Sequence, residues 1–248
     1  MTFNRLDEPM KKVQQMNLND MEIVTDGGFA PVQNNSTRAG NVEVYFRDLE
    51  SALVEKIQTH DVSLGCVAWL TSAPILKALS QVDAQIVVQK EDFLRPDIGA
   101  NPKSWGAWLR RMYGQISFDY DRYIFPYLGN FSYCGDPSIE GVRCVGNHNR
   151  DKHPAFPRMH NKFMVFADEV EESVDDYGDT NYTLKPKAVW TGSFNFTKNA
   201  GRSLENAVVI TEPAIVQAYY QEYQQIAAMS EPLNWETYWS APEWRLGS

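Results

Sequence analysis

Apolar residues along this chain switch between the period-two pattern of strands and the wider spacing of helices. Residues 41–46 alternate apolar and polar side chains, which predicts a half-buried strand. Residues 49–57 then place apolar side chains at helical spacing and predict a helix capped by Asp48. Residues 62–70 form a nearly continuous apolar run, which is typical of a central strand covered on both faces.

The same alternation continues to the end of the chain. Pro74 lies in the first turn of a predicted helix over 72–80, and further helices are predicted at 101–114 and 215–229. Further strands are predicted at 85–88, 142–145, 163–166, 188–190 and 207–210. Strands that alternate with helices across short connections predict an α/β fold, a mixed β-sheet with helices on both faces. We expect an N-terminal arm over 1–40 and one domain over 41–248 that ends in an aromatic tail.

Polar residues that could take part in catalysis lie at the ends of three predicted strands. His160 and Lys162 are two residues apart, so both side chains can project from one face, and Ser193 and Asn195 share a face by the same spacing. Glu205 is the next carboxylate. A histidine can attack phosphorus or protonate a leaving oxygen near neutral pH, while an ammonium and an amide can hold phosphate oxygens. The set therefore suits attack on a phosphodiester and requires no metal or other cofactor.

These motifs, HNKF with GSFNFTKNA and ENAVVI, resemble the phospholipase D superfamily. The signature of that superfamily is His-x-Lys-x4-Asp, followed by Gly-Ser-x-Asn and a downstream Glu, and the chain looks most like its bacterial nuclease branch. The resemblance implies a phospholipase D-like fold and a phosphodiesterase, most plainly a nuclease acting on DNA or RNA. One position departs from the signature, because Ala167 stands where the Asp is expected and Asp168 follows it. In the family that Asp is chiefly structural, so we expect the shift to affect local strand geometry.

The sequence contains one His-x-Lys motif, whereas the active site of the resembled superfamily takes two. The resemblance therefore implies a homodimer in which the His160 residues of two subunits face each other across a twofold axis. One histidine would attack phosphorus to form a phosphohistidine, and the other would protonate the leaving oxygen. Glu205 would orient the histidine and Ser193 would assist.

Charge is unevenly distributed along the chain. The net charge is −9, which by itself argues against a nucleic-acid partner. Both segments that carry the motifs are nevertheless basic, while the segment 168–179 between them is acidic. The basic residues are Arg143, Arg150, Lys152, Arg158, Lys162, Lys185, Lys187, Lys198 and Arg202. We expect Arg158 and Lys198 to contact a phosphate-bearing substrate, although ordinary solvated surface is the alternative interpretation.

Two further functions remain open from the residues alone. A phospholipase or another small-phosphodiester hydrolase would use the same chemistry, but no Lys- and Arg-rich amphipathic helix favours membrane binding. The displaced Asp would also fit a catalytically silent nucleic-acid-binding module. The sequence shows neither a signal peptide nor an apolar run of about eighteen residues, and its three cysteines cannot all pair. We therefore expect a cytoplasmic protein without stable membrane association.

Two local patterns have competing interpretations. Cys134, Cys144, His148 and His153 could bind structural zinc, but the spacing is loose and packing in the core is the stronger interpretation. Residues 117–141 are rich in aromatic side chains, which can stack on nucleobases or pack a long connection onto the sheet.

Overall fold

The computed structural model describes residues 16–97, 101–118, 122–124, 132–134, 140–149, 153, 156–174 and 180–242. The strands are β1 (Glu22–Thr25), β2 (Gly28–Pro31), β3 (Thr37–Ala39), β4 (Val42–Tyr45), β5 (Val62–Val67), β6 (Asp83–Glu91), β7 (Arg122–Ile124), β8 (Ser132–Cys134), β9 (Val142–Asn149), β10 (Lys162–Val174), β11 (Thr180–Gly192) and β12 (Ala207–Ile210). The α-helices are α1 (Leu49–Gln58), α2 (Ala73–Leu79), α3 (Trp105–Tyr113) and α4 (Pro213–Ala228).

Eight strands form one mixed sheet in the order β3-β4-β12-β11-β10-β5-β6-β9. The neighbours β5, β6 and β9 run parallel, and the remaining pairs are antiparallel. The predicted α/β fold with a mixed sheet is therefore confirmed. β3 falls within the range that the sequence assigns to an N-terminal arm, but it pairs with β4 at the edge of this sheet.

Helices cover both faces of the sheet because its central strands are apolar on both sides. Met164 and Phe166 pack into the core that α1, α2 and α3 share with one face. Phe163 and Val165, on the other face of the same strand, pack against the core that α4 covers. Side chains of a strand alternate between faces, so this continuous apolar run serves both layers.

β10 and β11 form a long antiparallel hairpin that extends well beyond the predicted strands. The acidic segment therefore begins as strand rather than loop, while residues 175–179 lie outside the described part of the chain. The pairing shifts between Phe166 and Ala167, which places Lys187 as an extra residue on β11 and forms a β-bulge. Ala167, at the position where the motif expects Asp, is fully buried.

The starts of two helices differ from their predicted form. Asp48 occupies the N-cap position of α1, but it adopts the left-handed conformation (φ 57°) and its side chain makes no capping hydrogen bond. α3 begins at Trp105 rather than near residue 101, because the hydroxyl of Ser104 accepts a hydrogen bond from the Ala107 amide at 3.1 Å and caps the helix there.

The C-terminal tail packs against its own domain through a buried charge. Lys90 is fully buried, and its ammonium lies 2.6 Å from the Glu231 carboxylate. The same ammonium donates to the backbone carbonyls of Thr237 and Trp239 at 3.1 and 2.7 Å. Trp235 is buried in the core beneath this contact. The tail is therefore held at the end of β6, where it helps to shape one edge of the sheet.

Candidate active site

The predicted catalytic residues meet at one edge of the sheet. β5 and β6 end at this edge, whereas the antiparallel β10 begins there, since Lys162 pairs with Val67. β11 also ends there and β12 begins there, because Gly192 pairs with Ala207. The topology thus brings the His-x-Lys, Gly-Ser-x-Asn and Glu-Asn segments to the same edge from distant parts of the chain.

His160 is exposed at this edge, and its imidazole lies beside a cation. The Lys162 ammonium is 3.3 Å from Nδ1 and 3.5 Å from Nε2 of His160, and it donates to the His160 carbonyl at 3.0 Å. Partial burial lowers the pKa of His160, and the positive charges of Lys162 and Arg158 lower it further. The surroundings therefore favour the neutral imidazole, which is the nucleophilic form.

The pKa of Lys162 is also lowered from its ordinary value. Burial is the main cause; the Glu205 carboxylate opposes it, and Arg158 adds to it. Glu205 itself accepts a short hydrogen bond from the Ser193 hydroxyl. Ser193 Oγ in turn accepts from the backbone amide of Asn206 at 3.1 Å. The carboxylate thus binds Ser193 and acts on Lys162 through its charge, while its expected role in orienting the histidine stays a prediction.

Gly192 allows this arrangement because its position has no room for a side chain. A Cβ there would collide with the Asn206 carbonyl oxygen and the Ala207 Cα. The amide of Ser193 donates to that same Asn206 carbonyl at 3.0 Å. A glycine before Ser193 therefore lets the start of β12 lie directly against the end of β11.

Asn195 is tied to the histidine segment through the extension of β5. The Ala68 amide donates to the Asn161 carbonyl at 2.9 Å, and the Phe196 amide donates to the Trp69 carbonyl at 3.1 Å. The chain beyond β5 therefore fixes the residues next to His160 and next to Asn195. Asn195 Oδ1 is buried and has no hydrogen-bond partner within the described part of the chain. This oxygen is an acceptor, so a donor group of a ligand could satisfy it.

Trp69 and Glu91 also belong to this edge, although the sequence does not single them out. The rings of Trp69 and His160 are nearly perpendicular, with centroids 6.4 Å apart. The Trp69 indole N–H donates to Glu91 Oε1 at 2.7 Å, and Asn149 Nδ2 donates to the same oxygen at 2.6 Å. Burial raises the pKa of Glu91, while these two hydrogen bonds and the charge of Arg158 oppose the rise. Trp69 lies near the end of the apolar run 62–70, so the sequence pattern predicts a buried residue of a core strand and gives no sign of a functional one.

A second glycine shapes the segment that leads into His160. Gly146 has a φ of +96°, and a Cβ at this position would lie 2.5 Å from Gln89 Oε1. That oxygen accepts a hydrogen bond from the Met159 amide at 2.7 Å. Gly146 therefore leaves space for the Gln89 side chain that holds the residue before His160.

The basic residues predicted to bind substrate have different surroundings. Arg158 is half-buried and close enough to act on the pKa of His160, and its guanidinium lies 5.3 Å from the centre of the Phe156 ring. Lys198 is exposed and lines a cleft of about 520 Å³ with Arg47 and Arg202. Arg143, in contrast, is fully buried and bonded to Ser230 and Glu140, so it is not a surface contact for phosphate.

The possible zinc ligands do not form a site among the described residues. Cys144 is buried, its thiol contacts the carbonyls of Glu231 and Pro232, and burial raises its pKa far above the ordinary value. That environment opposes the thiolate that zinc requires. His148 is buried against Tyr238 and Trp235, and the side chain of Cys134 lies outside the described part. Among the described residues no cluster of metal ligands occurs.

Asp168 lies just beyond the stretch of β10 that pairs with β5, on the far side of the bulge from His160. Its carboxylate is 2.8 Å from Nδ1 of His60 and 3.5 Å from the ammonium of Lys187. His60 also stacks on Phe166, with ring centroids 5.4 Å apart. The displaced acid of the motif thus joins the turn after α1 to the bulged residue of β11.

The expected stacking by the aromatic segment is untested, because the side chains of residues 119–139 lie outside the described part.

No helix in the described part is long and apolar enough to cross a membrane.

Comparisons with known proteins assign a domain type to the site region. Residues 132–227, which include every predicted catalytic residue, match a family model described as "Cardiolipin synthase, PLD-like domain". An uncharacterised protein of Acanthamoeba polyphaga mimivirus is 30% identical over 244 residues, which cover 95% of this chain and 80% of that protein.

Solved structures of low sequence identity match over much of this chain and nearly all of their own length. Nuc from Salmonella typhimurium, a phospholipase D family member, is 20% identical, with 77% of this chain and 95% of that chain covered and a TM-score of 0.44. NucT from Helicobacter pylori is 15% identical, with 77% and 98% covered and a TM-score of 0.44.

Proposed function

Because residues 132–227 match a PLD-like domain, we propose that the chain is a metal-independent phosphodiesterase that hydrolyses DNA or RNA through a phosphohistidine. The observation that carries the proposal is the exposed His160, whose imidazole lies 3.3 Å from the Lys162 ammonium and whose pKa is lowered. A neutral imidazole beside a cation can attack an anionic phosphodiester, since the cation offsets the negative charge of the substrate.

In the first step, a ring nitrogen of His160 forms a bond to phosphorus while the bond from phosphorus to the leaving oxygen breaks. Lys162 and Asn195 donate hydrogen bonds to the non-bridging oxygens, where negative charge is held in the transition state. A protonated histidine gives its proton to the leaving oxygen. The products of this step are a phosphohistidine and a free hydroxyl.

In the second step, water attacks phosphorus and the bond between nitrogen and phosphorus breaks. The histidine that had lost its proton now accepts one from the water, so proton and charge return to their starting places. Ser193 and Glu205 keep the loop after β11 in place, and the Glu205 charge helps to retain the proton of Lys162.

The acid in this scheme is the His160 of a second subunit. Among the described residues, His60 bonds to Asp168, and His148 is buried against Trp235 and Tyr238, so neither is exposed beside His160 to serve as the acid. A C2 dimer would bring two copies of His160 to one phosphate. The two histidines would then share protons, and the pair rather than either residue would titrate.

The chemistry is tested with single- and double-stranded DNA and RNA, and with phospholipid vesicles, in EDTA. We expect nucleic-acid cleavage that persists in EDTA and disappears in His160→Asn, together with a trapped phosphohistidine that is labile in acid. Cleavage that depends on an added divalent metal would contradict the mechanism. Release of lipid headgroups without nucleic-acid cleavage would instead establish the phospholipase alternative.

The shared site is tested by mixing subunits. Co-expressed wild-type and His160→Asn subunits should give activity that falls with the square of the wild-type fraction, because a mixed dimer lacks one of its two histidines. Trp105→Ala subunits provide the control, since Trp105 packs against Phe93 and its dilution should not lower activity. Activity that falls linearly with the wild-type fraction, or a monomeric active species in light scattering, would overturn the shared site.

A further inference from the structure

We infer that Trp69 is a stacking platform for the nucleobase next to the scissile phosphate, so that the substrate is unpaired nucleic acid. This inference rests on the proposed function. Trp69 retains 36% of its surface exposed, although it adjoins the buried end of β5. Its ring lies 6.4 Å from the ring of His160, between centroids. An exposed indole this close to the attacking group is within one nucleotide's reach of the phosphate.

The indole is held from two sides. Its N–H donates to Glu91 Oε1 at 2.7 Å, which fixes the rotation of the ring. Its backbone carbonyl accepts from the Phe196 amide at 3.1 Å, next to Asn195. The ring is therefore pre-oriented, so that little side-chain entropy is lost when a base stacks on it.

Glu91 is positioned in turn by Asn149, and its carboxylate is mostly buried. A buried carboxylate is costly unless hydrogen bonds satisfy it, and both observed donors bind the same oxygen. Glu91 is therefore a positioning residue that acts through Trp69.

Stacking on a protein ring requires a base that is not already paired and stacked in a duplex. The platform consequently favours single strands, loops or frayed ends over intact duplex. Sequence preference should be weak, because every base offers a face to the ring and the contact involves no base-edge hydrogen bond.

The test uses an oligonucleotide with one cleavable phosphodiester, which carries either a base or an abasic residue beside that bond. Trp69→Ala should lower kcat/KM about tenfold on the base-bearing strand. The same variant should change kcat/KM less than about twofold on the abasic strand, since no base remains to stack. Trp69→Phe keeps an aromatic face and should retain part of the preference for the base, and Trp105→Ala should retain all of it.

Glu91 is tested by comparing Glu91→Gln with Glu91→Ala. Glutamine retains an acceptor oxygen and should preserve most of the preference for the base-bearing strand, whereas alanine should lose it. Equal losses on base-bearing and abasic strands in Trp69→Ala, with an unchanged melting temperature, would overturn the platform. If the wild-type protein cleaves neither strand, the proposed function itself fails, and that outcome is distinct from the failure of Trp69 alone.

Discussion

Two histidines lie near opposite ends of the stretch of β10 that pairs with β5, and they have opposite surroundings. His60 stacks on Phe166 and bonds to a carboxylate, Asp168, at 2.8 Å. His160 is exposed, with the Lys162 ammonium beside its ring and the charge of Arg158 nearby. A carboxylate partner holds an imidazole by a hydrogen bond. Cationic neighbours instead favour its neutral form and attract an anionic substrate.

The comparison also indicates a structural role for Asp168, the displaced acid of the motif. The buried Ala167 faces the core, and Asp168 follows it to bond His60 and Lys187 across the bulge. The carboxylate stabilises the part of β10 beyond the bulge, away from the reaction. Variants at His160 and its neighbours should therefore affect turnover, and variants around His60 and Asp168 should affect folding.

The largest difference should come from replacing the two histidines in parallel. His160→Asn should lower kcat by about 10⁴-fold or more, because no nucleophile remains, and leave the free energy of unfolding nearly unchanged. His60→Asn should keep kcat within about twofold while losing a hydrogen bond and a ring contact. Turnover assays and urea titrations measure both effects. A His60 variant that loses turnover but stays folded would break the comparison.

Lys162→Met should have the next largest effect. It removes the cation that meets the non-bridging oxygens, so kcat should fall by about 10²- to 10³-fold. Lys187→Met is the matched control, since that lysine lies beside Asp168 at the bulge, away from His160. The control should leave kcat within about twofold. Comparable losses of kcat in both variants would mean that positive charge anywhere on this surface supports turnover, and that Lys162 has no special role beside His160.

Asp168→Asn should act on stability alone. The bond between His60 and Asp168 is partly exposed, so we expect the free energy of unfolding to fall by about 1 kcal/mol. Activity at a temperature well below unfolding should match the wild type. Denaturant titration combined with the oligonucleotide assay checks both parts. Lost activity in a fully folded Asp168→Asn protein would place this carboxylate in the catalytic machinery.

Much of this site could be predicted because its residues occur at strand ends with a regular pattern. The period of two at His160 and Lys162, and again at Ser193 and Asn195, follows local backbone geometry. The contact of Trp69 with His160 could not be predicted, because it depends on which strand neighbours β10. The parallel placement of β5, β6 and β9, and the bond from Trp69 to Glu91, arise from tertiary pairing.

Element boundaries also depended on tertiary contacts. β10 and β11 continue as a hairpin far beyond their apolar runs, because the backbone of each strand supplies hydrogen-bond partners for the other. Arg143 lies in a basic segment of the sequence but inside the fold, because Ser230 and Glu140 satisfy its guanidinium. A charged residue in the sequence therefore indicates an exposed position only when no polar partner in the fold can satisfy it.

The smallest expected effect concerns the pH dependence set by Arg158. Burial, then Lys162, then Arg158 lower the pKa of His160. Attack requires the neutral imidazole, whose fraction grows as pH rises through that pKa. Arg158→Gln removes one cation and should raise the pKa, so the acidic limb of the kcat/KM profile should move to higher pH. Arg158→Lys, which keeps the charge, should leave the limb close to its wild-type position.

An NMR titration of the His160 ring would measure the same quantity without turnover, with the resonance assigned by its absence in His160→Asn. Its midpoint should rise in Arg158→Gln and stay close to the wild-type value in Arg158→Lys, which keeps the charge. A limb or a midpoint that moves to lower pH in Arg158→Gln would contradict this role of the Arg158 charge.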